Sequence, residues 1–213
     1  MSGATKQQAV SPRQPAGRAW QRMLSGRRLD LLNPSPADIE IEDIAHGLAR
    51  VARWNGQTVG AHAFSVAQHT LIVEDIASAR APEWPAQWRL AALLHDAPEY
   101  VVGDLISPFK TALGLDYKAF ELRLLAAIHT RFGLPETLPS DVQSGIKDAD
   151  RIAAYFEATR LAGFSEDEAV VYFGHPDICD PHLAAALSNL EPVAASAAEE
   201  IFLTRFRNLI ERL

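Results

Sequence analysis

Residues 90–110 have the sequence LAALLHDAPEYVVGDLISPFK, in which leucines at helical spacing lead to the adjacent pair His95-Asp96. Leucines three and four positions apart are typical of a helix that packs on a core. Pro98 removes a backbone hydrogen bond to the carbonyl of Leu94 and disfavours a helical conformation at the residue before it. The sequence therefore predicts a helix that ends or kinks directly after His95-Asp96.

Helical spacing of apolar residues also dominates the rest of the chain. Gly133 and Gly163 follow two of the longer periodic stretches, as expected just past a helix end, and Ser140 is a suitable N-cap for the second stretch. The predicted helices cover residues 37–51, 65–79, 85–96, 116–132, 140–162 and 195–213, with a shorter alanine-rich helix before the last. No alternating segments joined by a hairpin turn stand out, and no fixed-period repeat is present. We therefore predict one all-α helical bundle over residues 19–213.

Length and charge narrow the class of protein. The chain has 213 residues, which is enough for one domain with a sizeable core. Its net charge is −7, so no basic stripe is available to neutralise an extended polyanion, and we expect no nucleic-acid partner. A small phosphorylated ligand held by a few local cations is compatible with this charge.

Residues 1–18 are polar and present no periodic apolar face, so we expect them to be disordered. They also lack the apolar core of a signal peptide, and no apolar run of the chain approaches the ~20 residues of a spanning helix. The single cysteine, Cys179, rules out an intrachain disulfide and fits a reducing compartment. These features predict a cytoplasmic protein without a membrane partner.

Four side chains on three predicted helices are candidate metal ligands: His69, His95, Asp96 and Asp150. Two imidazoles and two carboxylates suit one divalent ion of manganese, cobalt, magnesium, iron or zinc better than a thiolate-selected metal. Asp150 shares a helical face with Ile146, a face suited to burial, so its carboxylate needs a partner that a cation would supply. A histidine on an apolar face is, however, more often a hydrogen-bonded core residue, and adjacent His-Asp pairs are common by chance.

The candidate ligands and their surroundings resemble the HD-domain metal-dependent phosphohydrolases, whose signature is a histidine, an adjacent His-Asp pair and a distant aspartate on a helical bundle. The matching segments are SVAQHTLIV (65–73), the stretch 90–110 and IKDADRIAAYF (146–156). The likeness extends over residues 29–213 and is greatest with the 5′-deoxynucleotidase and phage dATP triphosphohydrolase branches. It implies an HD-domain bundle that binds one divalent metal ion, hydrolyses a phosphate ester or anhydride of a deoxynucleotide and forms a homo-oligomer.

Two acidic residues match functional carboxylates of this family. Glu99 matches the one that positions or activates the attacking water, and its offset from His95 and Asp96 lets it reach their side of a helix. Asp104 matches an acidic residue near the sugar and phosphate. Pro98 departs from the family pattern, which has a small residue there, and the break that it introduces could displace Glu99.

The resemblance also implies two pairs of substrate contacts. Arg53 and Trp54 match residues that contact phosphate and base, and a tryptophan offers a face on which any base can stack. Lys110 and Lys147 match lysines that hold the phosphate chain in the triphosphohydrolase branch, which slightly favours a longer phosphate chain as substrate. Two other hypotheses stay open: a nucleotide-binding regulatory module without turnover, which the departure at Pro98 motivates, and a structural helical domain that binds no metal.

Overall fold

The computed structural model describes residues 19–104 and 117–213, and in these ranges the chain is predominantly helical, which confirms the predicted fold class. The nine α-helices of the described ranges are α1 (Ile41–Leu48), α2 (Val66–Arg80), α3 (Ala86–Leu93), α4 (Glu99–Val102), α5 (Tyr117–Arg131), α6 (Ser140–Arg160), α7 (Glu166–Phe173), α8 (Pro181–Ser188) and α9 (Ala195–Ile210). Two short strands, β1 (Trp20–Arg22) and β2 (Arg28–Asp30), pair antiparallel. The predicted disorder of residues 1–18 concerns a segment outside the described ranges. None of the described helices is long and apolar enough to cross a membrane.

Helix α2 packs against α3, α6 and α9. Val66, Val73 and Ile76 on this helix are fully buried, and so is His69. The buried apolar residues form one hydrophobic cluster that draws on α1, α2, α3, α5, α6 and α9. Because burial of apolar surface is the main favourable term in folding, this cluster fixes α2, and His69 with it, in the middle of the bundle.

A buried carboxylate ties α2 to two of its neighbours. Glu74 is fully buried and accepts hydrogen bonds from Nε of Arg89 in α3 at 2.7 Å and from Ser78 at 2.8 Å, and it also pairs with Arg205 in α9. A buried carboxylate is costly unless donors of this kind surround it. These contacts therefore hold α3 and α9 against α2.

The chain after α3 differs in one detail from the prediction. Helix α3 ends at Leu93, and residues 94–98 form turns before α4 begins at Glu99. Pro98 has helical angles, φ −54° and ψ −24°, because it stands at the N-terminal edge of α4, where its missing N–H would be unpaired in any case. The predicted break exists, but it begins before the pair His95-Asp96 instead of after it.

Two short strands and helix α7 are elements that the sequence pattern did not reveal. Strands β1 and β2 have three residues each, too few for an alternating pattern, and two arginine side chains lie over the ring of Trp20. Helix α7 opens with a capping box in which Ser165 and Glu168 bind each other's backbone N–H groups. At the start of α6, Pro139 takes the N-cap position that we predicted for Ser140.

The packing of α1 on α4 depends on Gly47. A Cβ atom added to Gly47 would lie 2.7 Å from Cβ and 3.0 Å from the carbonyl oxygen of Tyr100, the residue after Glu99. We expect Gly47→Ala to lower the free energy of unfolding by about 1–3 kcal/mol through overpacking, although alanine in a helix is by itself favoured over glycine by ~1 kcal/mol. Urea denaturation followed by circular dichroism measures this change.

The matched control is Gly145→Ala in α6. There the added Cβ would lie 2.8 Å from a ring carbon at the edge of Trp84, a side chain that can turn aside, whereas at Gly47 the obstacle includes backbone. The loss should therefore be smaller for Gly145→Ala. Equal losses in the two variants would show that the contact with α4 is not the cause.

Candidate metal centre

The four candidate ligands meet between α2, α6 and the turns that follow α3. One oxygen of Asp150 lies 3.2 Å from Nε2 of His69. One oxygen of Asp96 lies 3.5 Å from the same nitrogen and 3.2 Å from Nε2 of His95. Ligand atoms of His69, His95 and Asp150 all lie within 4.8 Å of one another, which is close enough to hold one metal ion.

The two imidazole rings present the same nitrogen to this centre. Nδ1 of His95 donates to the carbonyl oxygen of Ala92 at 2.8 Å, and Nδ1 of His69 donates to the carboxylate of Glu157 at 2.5 Å. Because a carbonyl and an ionised carboxylate only accept, each Nδ1 carries a proton, and in the neutral ring each Nε2 has a lone pair. Both Nε2 atoms are buried and form no hydrogen bond with residues 19–104 or 117–213. Lone pairs and carboxylates that converge in this way fit a divalent cation.

The electrostatics of the cluster agree with this geometry. Burial alone would lower the pKa of His69, and Arg53 lowers it too, but the carboxylates of Glu157, Asp150 and Asp96 hold this pKa well above its usual range. Burial would raise the pKa of Asp96, yet the two neighbouring histidines hold it well below its usual range. The cluster therefore favours positive charge at its centre, which protons on the imidazoles or a divalent ion can supply.

The centre is accessible from the side of α6. The side chain of His69 is 0% exposed, those of His95 and Asp96 are 12% and 22% exposed, and that of Asp150 is 42% exposed. The ligand set is thus buried at His69 and open to solvent at Asp150, and we call the side at Asp150 the open rim. A further ligand of the metal ion would reach the centre beside Asp150.

Glu157 also belongs to this site, although the sequence pattern did not reveal it. It lies on α6, two turns after Asp150, and is fully buried. Besides His69, it accepts hydrogen bonds from Nε1 of Trp54 at 2.8 Å and from Nε of Arg53 at 3.2 Å. Burial alone would raise the pKa of Glu157, but Arg53, His69 and Trp54 lower this pKa to about 2. Its spacing of seven residues from Asp150, on the apolar face of the helix, is a signal that could have identified it.

Arg53 is held between two carboxylates beside the cluster. Its Nε contacts Glu157, and its Nη1 lies 3.5 Å from an oxygen of Asp104. Burial alone would lower the pKa of Arg53, but Glu157 and Asp104, with Asp96 and Asp150, raise this pKa above its usual range. The structure therefore places Arg53 and Asp104 together, within electrostatic reach of the candidate ligands.

Trp54 is turned towards Glu157 by an unusual backbone conformation. Trp54 and Asn55 have φ angles of 56° and 50°, in the left-handed region that non-glycine residues seldom adopt. The indole N–H is engaged by Glu157, and the ring packs against Phe164 and Phe173 with centroid distances of 5.7 and 6.1 Å. These contacts offset the cost of the turn. They show Trp54 as a support for Glu157, while its stacking on a base stays a prediction.

The other predicted site residues are Glu99, Lys147 and Lys110. Glu99 is buried at the start of α4, and its backbone N–H donates to the carbonyl of Asp96 at 3.0 Å. Lys147 is exposed on α6, one turn before Asp150. Lys110 lies outside the described residues.

Two relatives place the chain in a family. It is 62% identical over 160 residues to the uncharacterized protein RCAP_rcc00048 of Rhodobacter capsulatus, an alignment that covers 75% of this chain and 82% of that protein. It is 32% identical over 174 residues to the uncharacterized protein YfdR of Escherichia coli K12, with 82% and 86% covered. The chain belongs to the family of these two proteins. No protein-family model matches the chain. The names of these family members state no activity, so the chemistry has to be argued from the site.

The cluster predicts a clear difference between two aspartates of α6. Asp150 points at the centre, whereas Asp148 pairs with Arg151 and is equally exposed, with a side-chain exposure of 41% against 42%. We expect Asp150→Asn to weaken Mn²⁺ binding by more than roughly 100-fold, since loss of an outer partner of a ligand already costs 10–100-fold. Titration calorimetry with Mn²⁺ measures the affinity.

Asp148→Asn is the matched control and should bind Mn²⁺ as the unmodified protein does. Saturating Mn²⁺ should also raise the unfolding temperature of the unmodified protein and of Asp148→Asn, because a ligand that binds only the folded state stabilises it. Asp150→Asn should show little of this stabilisation. If both variants lost affinity to the same degree, Asp150 would not be a ligand.

Proposed function

We propose that the chain is an HD-type metal-dependent phosphohydrolase that cleaves a phosphate ester or anhydride of a (deoxy)nucleotide with a metal-activated water. One observation carries the proposal: ligand atoms of His69, His95 and the Asp150 carboxylate lie within 4.8 Å of one another, Asp96 contacts both imidazoles, and Arg53 is held beside them. The segments that resemble the HD-domain phosphohydrolases supply these residues. A donor set of this kind suits a hard or borderline ion that retains positions for water and substrate.

His69, His95, Asp96 and Asp150 would hold one divalent ion of manganese, cobalt, magnesium, iron or zinc. Such an ion, when bound, lowers the pKa of a coordinated water and polarises a phosphoryl oxygen. The contacts of the two Nδ1 atoms keep the rings oriented with Nε2 towards the centre. The protein thus prepares the ligand geometry before a metal ion arrives.

Arg53 and two acidic residues would act on the substrate. Arg53 is a permanently charged group, 13% exposed and within electrostatic reach of Asp96 and Asp150, so it can neutralise charge on phosphoryl oxygens. Asp104 holds one end of its guanidinium and would lie near the sugar. Glu99 would orient the attacking water and accept its proton.

The substrate class follows from charge and from the family likeness. A chain of net charge −7 in which Arg53 supplies a local cation at the site suits a small phosphorylated molecule better than an extended polyanion. The two lysines that match the triphosphohydrolase branch, Lys110 and Lys147, favour a phosphate chain over a single phosphate. A cytoplasmic location and a homo-oligomeric assembly are also part of this proposal.

A screen of nucleotides with product identification tests the activity. The protein loaded with Mn²⁺ or Co²⁺ should hydrolyse at least one deoxynucleoside mono- or triphosphate, and chelation should abolish the reaction. Separation of orthophosphate, pyrophosphate and triphosphate by ion chromatography identifies the bond that is cleaved. Orthophosphate from monophosphates alone would reject the preference for a longer phosphate chain. An absence of any product from all nucleotides, at full metal loading, would reject the proposed activity.

Glu99→Gln separates the chemical step from metal binding. If Glu99 activates the water, this variant should lower kcat by roughly 100-fold or more, the usual range for a general base. Its metal content should equal that of the unmodified protein, since Glu99 is not among the proposed ligands. Steady-state kinetics and elemental analysis measure the two quantities. Glu83→Gln, at an exposed position before α3, is the control and should leave both unchanged.

One observation favours a second candidate, a nucleotide-binding regulatory module without turnover. Glu99 is 2% exposed and begins a short helix directly after Pro98, the position at which this sequence departs from the family pattern. If the metal-loaded protein bound a nucleotide in calorimetry and released no product, this candidate would replace the enzyme. Steady turnover at one metal ion per chain would exclude it.

A further inference from the structure

We infer that Glu157 is a positioning residue that orients His69 towards the metal ion and couples the metal site to the turn that carries Arg53 and Trp54. The inference deepens the proposed function and rests on it only for the role assigned to phosphate binding. Its structural part concerns metal binding by the protein alone.

The Glu157 carboxylate lies among hydrogen-bond donors. It is fully buried, yet its two oxygens accept hydrogen bonds from three different side chains. Oε1 accepts from His69, while Oε2 accepts from Trp54 and Arg53. A buried carboxylate with such partners stays ionised, and each of its oxygens serves a different part of the site.

Glu157 acts on His69 through their hydrogen bond. An ionised acceptor at Nδ1 fixes the proton there, orients the ring and makes Nε2 a stronger electron donor. Nε2 is the atom that faces Asp150 and Asp96. Glu157 therefore sets the form of His69 that a metal ion requires, although it does not itself face the centre.

Glu157 also acts on the turn at residues 53–56. The backbone N–H of Arg53 donates to the carbonyl of Phe64 at 2.8 Å, which joins this turn to the segment that leads into α2. Oε2 of Glu157 then fixes the guanidinium at Nε and the indole at Nε1. The other end of the guanidinium contacts Asp104 at 3.5 Å, the longest of these contacts, so it is the end that can change partners when a phosphate binds. One carboxylate thus sets both a metal ligand and a phosphate-binding cation.

Glu157→Gln tests this role. A glutamine has one oxygen and one NH₂ group, so it cannot accept from both His69 and the Arg53–Trp54 side. We expect the affinity for Mn²⁺ to fall by about tenfold or more and the visible spectrum of the Co²⁺-loaded protein to change. Binding of inorganic phosphate to the Mn²⁺-loaded protein should weaken as well.

Glu74→Gln is the matched control. Glu74 is also fully buried and also bound by arginines, but none of its partners, Ser78, Arg89 and Arg205, is a candidate ligand or lies in the turn at residues 53–56. This variant should lose stability and keep both the Mn²⁺ affinity and the Co²⁺ spectrum. Equal losses of Mn²⁺ affinity in the two variants, or none in Glu157→Gln, would overturn the inference.

Trp54→Phe tests the coupling with a milder change, also in case Glu157→Gln does not fold. It keeps a ring next to Phe164 and Phe173 but removes the donor to Oε2 of Glu157. We expect Mn²⁺ affinity within about threefold of the unmodified protein, since ligand contacts are intact, together with weaker binding of inorganic phosphate. Unchanged phosphate binding would reject the coupling. A protein that hydrolyses no nucleotide yet loses Mn²⁺ affinity in Glu157→Gln would refute the proposed function and retain the role of Glu157.

Discussion

Two imidazole lone pairs and two carboxylates converge on one small volume, and their mutual repulsion is the constraint that the surrounding structure has to satisfy. The groups that face the centre cannot relieve this repulsion by hydrogen bonds among themselves. With neutral rings, both Nε2 atoms and both carboxylates are acceptors. The protein places its own partners on the outer side instead, at the carbonyl of Ala92 and the carboxylate of Glu157. The inner side is therefore the place where a positive charge is favoured. The same arrangement explains why the pKa of His69 is raised and the pKa of Asp96 is lowered.

The helical framework that meets this constraint is largely visible in the sequence, because long amphipathic segments have a period that survives tertiary packing. Helices α2, α5, α6 and α9 lie close to their predicted bounds. Prediction was poorer where an element is short or depends on local capping. Strands of three residues carry no readable pattern, and the start of α7 is encoded by the capping box of Ser165 and Glu168 instead of by apolar spacing. The end of α3 is set by turns before Pro98, which a rule about proline alone does not describe.

The candidate ligands and their support differ in how far the sequence reveals them. Asp150 stands out because a carboxylate on a face suited to burial needs a partner. The pair His95-Asp96 stands out only through its resemblance to the signature of the HD-domain phosphohydrolases. Glu157 is also polar on an apolar face, but its importance depends on the packing of α6 against α2, which brings it to a histidine 88 residues away. The position of Trp54 depends on a left-handed turn that its residue type does not favour. Contacts set by helix packing and by strained backbone therefore required the structure.

The charge balance of the site constrains what it can bind. Among the described residues, four carboxylates lie next to the centre or contact Arg53, namely Asp96, Asp150, Glu157 and Asp104, and a divalent ion together with Arg53 does not neutralise them. A phosphate group that enters such a site increases the negative charge, so its binding requires a further cation or the displacement of a carboxylate from Arg53. The contact of Arg53 with Asp104, at 3.5 Å, is the one that can be exchanged, whereas its contact with the fully buried Glu157 is shorter, at 3.2 Å. Lys147 is exposed on α6, one turn before Asp150 at the open rim, and under the proposed function we expect it to act as such a cation on a longer phosphate chain. Under the proposed function, the selectivity for phosphate-chain length would therefore lie at this rim, while the buried side of the site fixes the geometry of the reacting group.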